Sequence, residues 1–152
     1  MPGNKTLPTA CLLLALATPA PAPAQPTRPT AGANPYDDLQ KQFAEAYNRQ
    51  DAAAMAEMFT QNAVRITPTG IFQGRDAIRR EMENTLKRGL HDYTVRRIVS
   101  RSEGNLVFNA GDWQATFVDK PLHGYYSVLL TLEGDHARIL QETVNVAASA
   151  RQ

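Results

Sequence analysis

The chain has 152 residues, enough for one domain. Apolar residues make up 43% and charged residues 20%, a balance that excludes a disordered chain. A formal net charge of +1 leaves no basic excess to neutralise a row of phosphates, so nucleic acid is not an expected partner.

The N-terminus reads as a separate object. Lys5 gives a thin positive start, Cys11 to Ala17 a short apolar core, and Ala20-Pro21-Ala22-Pro23-Ala24 the small residues of a cleavage site. This is the signal-peptide pattern over residues 1–24, with the cut expected before Gln25; the alternative is an uncleaved tail. The apolar run is shorter than the ~20 residues of a membrane span, so none is expected. Cys11 begins the apolar run instead of following it, which argues against a lipid anchor there. Cleavage would export the domain, to the periplasm or the medium, and remove the only cysteine. Pro26 and Pro29 mark residues 25–34 as a linker ahead of a domain spanning 35–148.

Asn34 and Pro35 are suited to the cap and first position of a helix, and Asp37 and Asp38 complement its dipole. Tyr36, Leu39, Phe43, Ala46 and Tyr47 then recur at helical spacing. Asp51 is placed to cap a second helix with Ala52, Met55, Met58 and Phe59 on its buried side. Ala63 to Thr67 reads as a short strand, Pro68-Thr69-Gly70 as a turn and Ile71 to Gln73 as a second strand. A third helix is expected from Asp76 to about Arg88, with Ile78, Met82 and Leu86 on one face, a Glu83–Lys87 pair outside and Gly89 as the stop. After Gly89 the period changes to two. Four long strands follow, 92–102, 106–118, 123–133 and 136–147, joined by hairpin-length turns. Helices first and strands afterwards define an α+β fold, and Gly111 within a strand signals a bulge that bends the sheet.

Three motifs carry a resemblance. They are Phe43-x3-Tyr47-Asn48-x2-Asp51 running into Met58-Phe59, Asn62-Ala63-Val64-x-Ile66-x-Pro68-x-Gly70, and Gly74-Arg75-Asp76-Ala77-Ile78. With Gly111-Asp112-Trp113, Gly124-Tyr125-Tyr126 and Arg138-Ile139 further on, the chain resembles the SnoaL-like branch of the nuclear transport factor 2-like superfamily. The resemblance implies three N-terminal helices packed on a strongly curved, mainly antiparallel sheet, with a cone-shaped pocket between them. It also implies a homodimer through the outer sheet face. The superfamily holds isomerases, cyclases, dehydratases and binding proteins, so it implies a pocket without naming a reaction. The ketosteroid isomerase roles fall on Phe43, on Thr67 and near Ser127 or Val128, which supply neither the phenol, the base nor the carboxylic acid.

Ligand-binding candidates follow. The pocket walls are expected to be Phe43, Tyr47, Met58 and Phe59, with Phe72, Trp113 and Tyr125. Arg65, Thr67 and His123 are candidates for fixing orientation, and Gln141 and Asn145 join them if their face of the last strand looks inward. Hydrophobic patterning puts Val64 and Ile66 in the core and Arg65 in solvent; the family register turns Arg65 inward, where it would suit a carboxylate or an enolate-like oxygen. Asp112 is expected exposed. His91 and Asp92, as strand neighbours, are not expected to bond to each other. His123 and Glu142 are the candidates for acid–base catalysis. No metal is expected, because His91, His123 and His136 lack a zinc-like spacing, and no cofactor, because there is no phosphate-cradling loop or nucleophile elbow. The expected partner is a small amphipathic or aromatic molecule. Two alternatives stand beside a binding domain: a cofactor-free isomerase, cyclase or dehydratase, and an interaction domain whose cavity is filled.

Overall fold

The computed structural model describes residues 35–134 and 136–148. The signal peptide, the 25–34 linker, the Asn34 cap and Asp135 lie outside them. Three helices come first in the chain: α1 (Pro35–Asn48), α2 (Ala52–Glu57) and α3 (Arg75–Lys87). Between α2 and α3 lie β1 (Phe59–Thr67) and β2 (Gly70–Gln73). After α3 come β3 (Leu90–Glu103), β4 (Leu106–Phe117), β5 (Lys120–Glu133) and β6 (His136–Val144). The sheet order is β2-β1-β6-β5-β4-β3, with β1 parallel to β6 and every other pair antiparallel.

Local chemistry sets these boundaries. The Asp51 carboxylate accepts from the Ala54 N–H at 2.9 Å and caps α2. Phe59 belongs to β1, not to the second helix, and β1 begins four residues earlier than its apolar alternation suggests. The reason is visible in Arg75, whose Nε and Nη2 donate to the Phe59 carbonyl at 3.1 and 2.7 Å. That guanidinium ties the start of α3 to the start of β1. On the outer side of α3 the ion pair is Arg79–Glu83, not Glu83–Lys87.

Beside a register shift between Phe59 and Val64 where β1 pairs β6, three bulges bend the sheet. In β3, Arg97 pairs Gly111 while Val99 pairs Ala110, so Ile98 is the extra residue. The backbone at Gly111 is too close to Arg96 for a side chain: a Cβ there would lie 1.9 Å from the Arg96 carbonyl oxygen. A second irregularity falls between His91 and Thr94. There Asp92 has φ 54°, and this left-handed kink brings its carboxylate 2.9 Å from His91 Nδ1. The two side chains therefore do meet, against the expectation for a regular strand. The third bulge is in β6, where Ile139 pairs Leu130 but Gln141 pairs Leu129, leaving Leu140 over. The core between helices and sheet is built on Leu39, Ala46, Met55, Phe59, Ile78 and Met82, packed onto Val107, Val128, Leu130 and Ile139.

Candidate functional site

A cavity of about 220 Å³ opens between α1, α3 and the inner sheet face. Its aromatic wall comes from α1, β3 and β4. Tyr47 stacks on Tyr93 with centroids 4.4 Å apart and planes at 17°; Tyr93 lies 6.4 Å from Trp113, and Phe43 meets Tyr93 edge-on at 6.3 Å. Asn48 holds Tyr93 in place: its Nδ2 donates to the Tyr93 carbonyl at 2.9 Å and its Oδ1 accepts from the Tyr93 N–H at 2.7 Å. The motif Tyr47-Asn48 thus places one ring of the wall and fixes the strand that carries the other.

The floor is ionic. Arg65 of β1 is buried, with Nη1 3.1 Å from Glu81 Oε2 and Nε 3.0 Å from Glu142 Oε2. These are ion-pair distances, but the angles are poor, so Arg65 Nε, Glu81 Oε2 and Glu142 Oε2 lack an aligned hydrogen bond among the described residues. The Thr85 hydroxyl donates to the other Glu81 oxygen at 2.9 Å. Two carboxyl groups thus face one guanidinium. Burial pushes the Glu142 pKa up; Arg65 pulls it back and Glu81 adds to the rise. Burial alone would lower the Arg65 pKa, but Glu142 and Glu81 outweigh it and hold the guanidinium charged. Burial also raises Tyr47 and Tyr93, so both phenols stay protonated.

The hydrophobic pattern of β1 is thereby overturned. Ala63 and Arg65 are buried and Val64 and Ile66 are only half-buried, because the helices cover the face that carries the charge. Arg65 is also not open for a carboxylate, since Glu81 and Glu142 occupy it. Of the sequence candidates, Phe43, Tyr47, Arg65, Thr67, Trp113 and Asn145 line the cavity, and so does Glu142. Thr67 sits at the mouth with its hydroxyl 2.8 Å from that of Thr69. The Asn145 amide is turned to the backbone, accepting from the Tyr125 N–H at 3.0 Å, while its carbonyl accepts from Trp113 Nε1 at 3.1 Å.

The other candidates lie elsewhere. Met58 caps α2 and Phe59 is fully buried behind Phe43, both in the core. Phe72 packs on the outside of that core. His123 and Tyr125 are exposed on the outer sheet face. The residue that dictates this is Gly124: a Cβ there would lie 1.9 Å from the Asn145 carbonyl oxygen and 2.7 Å from the Trp113 ring. Gly124 must therefore lie under Trp113, its cross-strand partner, which turns both neighbours outward. Gln141 does not line the cavity and donates to the Thr143 hydroxyl at 2.7 Å. Asp112, expected exposed, is half-buried beside Arg96.

The sequence reading missed Glu81, Thr85, Arg88, Tyr93 and Tyr126. A usable signal existed for four of them. Glu81, Thr85 and Arg88 are spaced four and three apart, one stripe of α3 and its C-cap adjoining Ile78. Tyr126 follows from Gly124 by alternation; its hydroxyl is buried without a partner among the described residues, and burial pushes its pKa up to about 12.

A three-helix layer on a curled six-stranded sheet defines the nuclear transport factor 2-like class of α+β domains. The SnoaL-like domain family model matches residues 40–140, more than half of the chain, and the chain belongs to that family. A nuclear transport factor 2-like protein of unknown function from Shewanella oneidensis superposes with a TM-score of 0.64 at 17% identity, over 73% of this chain and 96% of that one. A protein of unknown function from Mycobacterium tuberculosis gives 0.68 at 15% identity, over 76% and 72%. A ketosteroid isomerase-like protein from Erwinia carotovora atroseptica gives 0.66 at 13%, over 74% and 94%. These likenesses establish the fold alone. No curated protein matches the chain. Among the described residues no helix is long and apolar enough to cross a membrane.

Proposed function

We propose that the chain is an exported small-molecule-binding domain whose cone holds a partly apolar, aromatic-sized ligand. The observation that carries this reading is the 220 Å³ cavity with stacked aromatic walls and a few convergent polar groups. A domain serving only as a scaffold would have that space filled, because interiors pack to crystal density. Export rests on the signal-peptide pattern of residues 1–24. Pairing into a homodimer through the outer sheet face is supported by the exposed Phe108 and Tyr125 on adjacent strands.

The test is thermal denaturation against steroids, polyketide-like phenols and terpenoid epoxides. A ligand that binds the folded state raises the midpoint with its concentration. Stabilisation by one class, weakened in Trp113→Ala, is the expected result; no shift with any class returns the domain to a scaffold role.

A second reading has one observation in its favour. Glu142 is a buried carboxyl in the cavity with its pKa raised by burial, the setting of a general base. Cofactor-free proton transfer, as in an isomerase, cyclase or dehydratase, would then use Glu142, with Arg65 holding its carboxylate. His123 drops out of this role because it faces away from the cavity. Turnover of a bound ligand that disappears in Glu142→Gln while binding persists would support the enzyme over the binding domain.

A further inference from the structure

The two ends of the cavity differ in what they offer a ligand. At the floor, Arg65, Glu81 and Glu142 are 7, 8 and 5% exposed, and both contacts of the guanidinium are taken by carboxylates. One atom of each of these side chains still lacks an aligned hydrogen bond, and two of those atoms are carboxylate oxygens. The floor therefore sets two carboxyl groups against one guanidinium, which both of them already hold. At the mouth, Arg88 follows the last residue of α3, exposed and without an ion pair among the described residues. Glu81 lies within α3 and Arg88 caps its C-terminus seven residues on, about 10 Å along the axis. Between them the cavity is walled by Tyr47, Tyr93, Trp113 and Leu122.

Resting on the binding reading above, we propose that the cavity takes a ring-bearing ligand by a hydrogen-bond-donor head, ammonium or hydroxyl. The head seats buried-end-first against Glu81 and Glu142, and any carboxylate the ligand carries stays at the mouth beside Arg88. A carboxylate pushed to the floor would lose its water and meet two like-charged groups already gathered round the one guanidinium. An ammonium or hydroxyl donates to these carboxyl groups, which outnumber the guanidinium two to one, and charged hydrogen bonds of this kind are about twice as strong as neutral ones. The faces of Tyr47 and Tyr93 add cation–π attraction for an ammonium.

The experiment compares 2-phenylethylamine, 2-phenylethanol and 3-phenylpropanoate on the full chain at pH 7, by calorimetry and thermal denaturation. The amine and the alcohol should each bind at least about tenfold more tightly than the carboxylate, a difference of about 1.4 kcal/mol or more. In Glu142→Gln the gap between amine and carboxylate should shrink below threefold; if that variant does not fold, Glu81→Gln makes the same change in charge. A probe with both groups, 3-[4-(aminomethyl)phenyl]propanoate, should exceed the simple amine, and Arg88→Gln should remove that gain. Carboxylate binding as tight as the alcohol overturns the donor-head assignment while leaving a binding domain standing. No gain from the second group overturns the orientation. Silence from all the probes beside a shift with the larger ligands named above removes the proposal and leaves the binding reading; silence from both sets removes both.

Discussion

The wall and the floor of one cavity are built on opposite principles. The wall is a run of rings, Phe43, Tyr47, Tyr93 and Trp113, each contact adjusting to the next. The floor is three charged groups that stabilise one another or nothing. Rings degrade gradually when one is changed, since each is held by many weak contacts. A buried ion triad degrades abruptly, since removing one member leaves the others buried without compensation. The wall thus tolerates variation and tunes fit, whereas the floor fixes the polarity of the site.

The sharpest way to break this contrast is at Arg65. Arg65→Met should cost about 3–5 kcal/mol in denaturant unfolding, because Glu81 and Glu142 would lose their shared cation. A loss below 1 kcal/mol would mean that water reaches the floor. The same site has a signature in pH. The folded state raises the Glu142 pKa above its ordinary 4.5, so it binds that proton more tightly than the unfolded chain does. The contribution of Glu142 is then fullest at acid pH and falls as pH rises from about 4.5 through the folded pKa. The stability of Glu142→Gln relative to wild type should climb over that window; a flat difference refutes the burial argument.

Next in size is Gly124→Ala, expected to cost about 1–3 kcal/mol through overpacking against Trp113 and the Asn145 carbonyl. Tryptophan emission should shift with it. Trp113→Phe keeps a ring in the wall but loses the hydrogen bond to that carbonyl, about 1 kcal/mol. The smallest effect belongs outside the cavity. His123→Ala should change stability by less than about 0.5 kcal/mol and leave ligand affinity within twofold, because the side chain faces solvent. A large loss of binding there would reverse the assignment of strand faces.

The contrast also explains what sequence could disclose. Helices and strands were legible because apolar residues repeat with periods near four and two, and the ring residues of α1 were found by that rule. The floor was not, for two physical reasons. A charge within a strand is assigned to solvent by alternation, and only the coming together of β1, α3 and β6 makes Arg65 an inside residue. Alternation along β6 was equally blind, since it forced a choice between the face of Ile139 and the face of Glu142 when both point inward. On β5 the same rule would have succeeded had it been anchored on Gly124, whose lack of a side chain is the local mark of a ring overhead.

Leu140 is the residue that lets both faces of β6 point in, for it is the one extra position in that strand. In a strict frame of two residues per repeat, Ile139 and Glu142 would fall on opposite faces. Deleting Leu140 would leave Gln141 opposite Leu129 and Glu142 opposite Val128, with Glu142 and Val144 still inward, and would remove only the local bend. The extra residue thus sets how the strand bends toward Arg65, not which side chains face it.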